Sequence, residues 1–166
     1  LVYGGAAQTY IGHNTGDLVS DGITGSDFTE LMSTAKTVAN NDGAVKFTGM
    51  SLWFDSVNKL IFRFTAADTA NVKVGIKAGG GAEVYYTSFT PAGENQYTVM
   101  TDGIYATAFD TVYTATIYTD DVAGAIVTYS VNSYVYAMQN SENATMKALA
   151  RATYNYGASA VEFNNK

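Results

Sequence analysis

Hydrophobic positions change period twice along the chain, near residue 45 and again near residue 129. Between those points they recur at every second position. Met50, Leu52 and Phe54 alternate with Ser51, Trp53 and Asp55; Leu60, Phe62 and Phe64 alternate with Ile61 and Arg63; Val72, Val74 and Ile76 alternate with Lys73, Gly75 and Lys77. A strand sends successive side chains to opposite faces, so this alternation predicts half-buried strands. Gly79-Gly80-Gly81 and Pro91-Ala92-Gly93 read as turns bracketing a strand at Ala82 to Phe89. Further strands are predicted at Gln96 to Met100, Thr111 to Tyr118 and Ala125 to Thr128, with Asp120-Asp121 beginning the last turn. Short strands at roughly ten-residue spacing, joined by Gly and Asp turns, predict a mostly β fold, an antiparallel β-sandwich over 45–128.

From Tyr129 to Phe163 the period becomes helical. Ser130 reads as the N-cap of a short helix with Val131, Tyr134, Val135 and Met138 on one face. A second helix is expected to start at Ser141 and Glu142, with Asn140 as an alternative cap. Met146, Leu149, Ala150, Thr153, Tyr156, Gly157 and Ala160 then line one side, which is expected to lie on the sheet. Gly within a helix costs about 1 kcal/mol relative to Ala, so Gly157 reads as a close approach to a strand, or else as a helix end.

The segment Ile11 to Asn41 mixes Gly, Asn, Asp and Ser with isolated apolar residues and predicts loops, with Ser26, Asp27 and Glu30 starting a helical turn through Leu31. The opening Tyr3 to Tyr10 (YGGAAQTY) and the closing Tyr156 to Phe163 (YGASAVEF) share the pattern Tyr-Gly-x-x-Ala-x-x-aromatic. Chance or a repeat explains the match; a repeat makes residues 1–10 a short N-terminal helix, the tail of a preceding module. The chain is expected to be a single module of 166 residues, cut or processed from a longer polypeptide, since it starts at Leu1.

Composition narrows the function classes. Only 14 % of residues are charged, and solubility rests on Tyr, Thr, Ser, Asn and Gly, which suits a secreted or cell-surface protein. A net charge of −6 without a Lys/Arg cluster argues against nucleic acid and an anionic membrane as partners. With no cysteine, disulfides, thiolate metal sites and thiol nucleophiles are excluded. No apolar run approaches the ~20 residues needed to cross a bilayer, and no stretch reads as a signal peptide.

Several residues resemble a known set. Gly49 to Leu52 (GMSL), Phe62 to Phe64, Thr128 to Tyr134 (TYSVNSY) and Leu149 to Ala160 (LARATYNYGASA), with the opening YGGAAQTYIGHNT followed by Asp17-Leu18, are similar to accessory modules of large secreted and cell-surface proteins of anaerobic Gram-positive gut bacteria, cellulosome-associated and leucine-rich-repeat proteins among them. Gly5, Ile11 and His13 stand where that pattern has Ala and aromatic residues. The resemblance carries no catalytic motif.

Glycan binding is the chemistry the sequence favours, because sugar rings stack their C–H faces on aromatic rings. Trp53 falls on the polar parity of its strand and is expected to point outward, the alternative being burial under a helix or the 11–41 segment. Tyr85 and Tyr86 are adjacent, so one of them faces away from the core, and Tyr118 has the opposite parity to Tyr113, Ala115 and Ile117. Trp53, Tyr85, Tyr86 and Tyr118 are thus the expected ligand-binding residues, with sheet filler as the other reading of the tyrosines. No cofactor is expected. Asp102, Asp110, Asp120 and Asp121, or Asn14, Asp17 and Asp21, leave room for a structural calcium, although none reproduces a calcium loop. His13 is the sole imidazole, which leaves zinc and a catalytic triad without partners. Asp55, Glu83, Glu94 and Asp110 supply carboxylates for glycoside hydrolysis but read better as turn and surface charges. The expectation is a non-catalytic carbohydrate-binding module for plant or dietary polysaccharide; the alternative is a structural spacer or docking unit whose aromatics meet neighbouring modules of the same polypeptide.

Overall fold

The computed structural model describes residues 36–165, the side chain of Glu162 excepted. The predicted N-terminal helix at 1–10, the turn at 26–31, and His13, Asn14, Asp17 and Asp21 lie outside the described residues. The chain divides into two compact units, one of Lys36–Ile104 with Thr111–Ser130 and one containing Tyr105–Asp110 and the residues from Val131 onward.

The first unit is the expected antiparallel sandwich. Its strands are β1 (Thr37–Ala39), β2 (Lys46–Trp53), β3 (Lys59–Thr65), β4 (Val72–Ala78), β5 (Glu83–Tyr86), β6 (Thr90–Gly93), β7 (Gln96–Met100), β8 (Tyr113–Thr119) and β9 (Val122–Tyr129). They form a five-stranded sheet in the order β1-β9-β8-β4-β5 and a four-stranded sheet in the order β2-β3-β7-β6. The alternating apolar rows become the core: Leu60, Phe62, Phe64, Val74 and Val127 have no exposed surface, and Ala115 and Ile117 are buried with them. Phe62 meets Phe47 edge-on at 6.2 Å between centroids, and Phe64 stacks on its cross-strand partner Tyr97 at 5.7 Å.

Two strands differ from the sequence reading. Pro91-Ala92-Gly93 belongs to β6 rather than to a turn. That strand is an edge, where the missing N–H of proline costs no ladder bond. The turn falls at Glu94-Asn95 instead, with Asn95 at φ 54°. The other is β1, three residues long, which lies in a segment predicted as loop and pairs Thr37 with Thr128. The turn falls at Asp120-Asp121 as expected but is shorter than the sequence reading, with β9 starting at Val122 rather than Ala125. Thr119 pairs with Val122, and both aspartates have positive φ (51° and 65°), as a two-residue type I′ hairpin requires.

The second unit holds a 3-10 turn at Ala106–Ala108 and two helices, α1 (Val131–Gln139) and α2 (Ala144–Asn164). On α1 the predicted face is buried at Val131, Tyr134 and Val135, and Met138 packs against Val135 and Ala150. The cap of α2 is Asn143, not Ser141 or Asn140. Its Oδ1 accepts from the backbone N–H groups of Thr145 (2.9 Å) and Met146 (3.1 Å), while Ser141 Oγ accepts from Asn143 N–H. On α2, Leu149, Ala150, Thr153 and Gly157 are buried and Tyr156 is exposed.

Gly157 does mark a close approach, but to the Phe109 ring and not to a strand. A Cβ there would sit 2.8 Å from Phe109 Cδ2 and 3.4 Å from the carbonyl oxygen of Ala106. Gly157→Val therefore overpacks this contact and is expected to lower stability by about 1–3 kcal/mol, read as a shift of the urea midpoint. Gly157→Ala, which gains helix propensity, is expected to be no more stable than the parent for the same reason.

Candidate functional site

Three neighbouring strands of the five-stranded sheet carry the most concentrated chemistry. On β4 the even positions 72, 74 and 76 are buried, which turns Lys73, Gly75 and Lys77 to the other face. Strand β5 pairs Gly75 with Tyr85 and Lys77 with Glu83; strand β8 pairs Lys73 with Tyr118. Lys73, Glu83, Tyr85 and Tyr118 thus share the face opposite the core, and the Asp120-Asp121 turn brings Asp121 to Lys73.

Glu83 is the hub. The Tyr85 hydroxyl donates to Glu83 Oε2 at 2.7 Å, and the Tyr118 hydroxyl donates to both carboxylate oxygens at 3.0 and 3.1 Å. The two rings meet edge-to-face at 5.7 Å and 69°. Lys73 Nζ lies 4.8 Å from the Tyr85 centroid and 5.3 Å from that of Tyr118, within cation–π range, and is ion-paired with Asp121. A cleft of about 270 Å³ lined by Ala70, Asn71, Val72, Lys73, Thr87, Asp120 and Asp121 adjoins the cluster through Lys73 and Asp121.

These contacts tune the ionisable groups. The hydrogen bond to Glu83, with burial and the carboxylate's charge behind it, pushes the Tyr85 hydroxyl up to about 12 from its ordinary 10.0. Tyr118 is raised by burial first and by Glu83 second, and Lys73 holds Asp121 below the usual carboxylate range. The fold favours the neutral phenol of Tyr85, so its stabilising effect is complete below the ordinary value and disappears as pH climbs from 10.0 to about 12. Tyrosine ¹³Cζ titration by NMR is expected to show the Tyr85 ring ionising near 12, and Glu83→Gln to return it toward 10.0.

The four expected ligand-binding aromatics do not converge. Tyr85 and Tyr118 stand together, Tyr85 51 % exposed. Tyr86 pairs with Val74 and faces the other way, half-buried, its hydroxyl raised by burial and by Asp102. Trp53 lies in the four-stranded sheet opposite Lys59, 47 % exposed, so the indole does point outward as its parity predicts. Sequence spacing does not join Lys73, Gly75 and Asp121 to these rings, and by sequence Glu83 reads as a turn or surface charge rather than as a hydrolytic carboxylate. A glycine inside a strand pattern, Gly75, was the available signal of a close approach.

The other carboxylates are differently engaged. Asp55 accepts from Ser56 N–H at 2.7 Å, and Glu94 lies in the β6–β7 turn. Asp110 belongs to the helical unit, at a groove of about 300 Å³ lined also by Phe109, Asn132, Tyr154 and Gly157. Among the described residues no group of three or more His, Cys, Asp or Glu is placed to hold a metal ion, and no helix is long and apolar enough to cross a membrane. No family model, curated protein or solved structure matches the chain.

Proposed function

We propose that the protein is a non-catalytic, extracellular carbohydrate-binding module that holds polysaccharide of plant or dietary origin on the exposed face of its five-stranded sheet. The observation that carries this reading is the Tyr85–Glu83–Tyr118 cluster with Lys73 above its rings. A sugar presents apolar C–H faces ringed by hydroxyls that both donate and accept. The exposed Tyr85 ring meets the first need. The carboxylate and phenol oxygens accept, and the ammonium donates. Because the rings stand at 69°, they form a corner rather than a flat two-ring platform. That shape suits a single sugar unit flanked on one side better than a long planar ribbon. Trp53 provides a separate stacking ring on the other sheet.

Affinity electrophoresis tests this. The protein is expected to be retarded in native gels containing at least one of xyloglucan, β-glucan, starch or pectin, with affinity in the millimolar to micromolar range, on the order of −4 to −8 kcal/mol. Unchanged mobility in every gel overturns it. That outcome favours the second reading, a structural module docking on its neighbours, for which the observation is the exposure of single apolar side chains in the helical unit: Tyr105 (78 %), Phe163 (82 %) and Val161.

A further inference from the structure

Gly75 stands in the middle of a strand, where glycine has no packing to offer and weakens the sheet. Its backbone does not ask for glycine: the glycines with positive φ among the described residues are Gly79 and Gly93. What occupies its missing side chain is Glu83. A Cβ at position 75 would lie 2.3 Å from Glu83 Oε1, 2.6 Å from Cδ and 3.0 Å from Cγ. All three of these nearest atoms belong to that one side chain. Gly49, also inside a strand, shows the contrast, with nothing within 4 Å of the same construction.

We infer that Gly75 is the positioning residue of this surface: by carrying no side chain it gives the Glu83 carboxylate a bed across β4, between Tyr85 on one neighbouring strand and Tyr118 on the other. Glu83 starts on β5, next to Tyr85, and must cross β4 to reach Tyr118 on β8. Only a residue without a Cβ at the crossing point leaves that path open. The acceptor that a sugar hydroxyl would meet is then fixed before any ligand arrives, so less ordering is left to binding. The ligand part of this inference rests on the glycan reading; the geometry of the bridge does not.

Two readouts on the whole chain separate them. In Gly75→Ala the methyl group displaces the carboxylate, and the Tyr85 hydroxyl is expected to ionise closer to 10.0 than to about 12 by ¹³Cζ NMR titration. Polysaccharide affinity is expected to fall about fivefold, the scale of one hydrogen bond. Gly49→Ala is the control and leaves both unchanged. Tyr85 still ionising near 12 in a folded Gly75→Ala protein overturns the inference. A protein whose Tyr85 titration shifts while no polysaccharide retards the parent keeps Gly75 in its role and removes the glycan reading. If Gly75→Ala folds poorly, the same substitution in a Glu83→Ala background decides. Recovery of stability there supports the bridge, because the clashing side chain is gone. An equal stability loss in both backgrounds overturns it.

Discussion

The double variant Tyr85→Ala, Tyr118→Ala is expected to run in polysaccharide gels as if no polysaccharide were present. One ring contributes about two- to tenfold in affinity. Removing both also frees the Glu83 carboxylate from its two donors, so the joint loss is expected to be on the order of 10- to 100-fold. For a weak binder that is indistinguishable from no binding. Tyr85 is half exposed and Tyr118 lies on the same outward face, so the double variant keeps the core intact and its far-UV spectrum should match the parent's. Tyr86→Phe, on the opposite face, is expected to leave retardation unchanged. Trp53→Ala discriminates between surfaces. Retardation that vanishes in Trp53→Ala but survives in the tyrosine double variant places the ligand on the four-stranded sheet and sinks the assignment to the Glu83 cluster.

The second large effect is on stability. Phe62→Ala is expected to destabilise the sandwich by about 3–5 kcal/mol, the range for deleting a fully buried aromatic side chain. Phe62 has no exposed surface and sits on the central pair of its sheet, between β2 and β7, with Phe47 against its ring. A domain stable by 5–15 kcal/mol loses a large fraction of that margin. Trp53→Ala, nine residues earlier on the outward parity, is expected to change stability by about 0.5 kcal/mol or less, as exposed sites do. Urea denaturation of the two variants side by side measures the contrast. A loss below about 1 kcal/mol in Phe62→Ala would mean that the β3 row is not the core.

Much of the architecture was legible because its signals are local. Alternation at Leu60-Phe62-Phe64 and Val72-Val74-Ile76 identified both the strands and their buried faces, and the same parity turned Trp53 and Tyr118 outward. The helical spacing of Val131, Tyr134 and Val135 located α1 and its buried side. Errors arose where local chemistry was ambiguous. Pro91 and Gly93 are turn residues by preference, yet an edge strand accepts them. Ser141, Asn140 and Asn143 are all able to cap, and only Asn143 sits one position before the first helical residue.

The candidate site belongs to the other category. Lys73, Glu83, Tyr118 and Asp121 come from different points along the chain, and nothing in their spacing says that β4 lies between β5 and β8. Which strands become neighbours depends on how whole faces pack and on which turns close, a property of the assembled sheet. The sequence by itself determined the class of fold, the buried rows and the outward parity of Trp53 and Tyr118, because side-chain direction in a strand repeats every two residues whatever the partner. Which of Tyr85 and Tyr86 faces outward was left to the structure. Only the tertiary structure decided that Glu83 lies across Gly75 to join two tyrosines from different strands, because cross-strand register is set by long-range pairing.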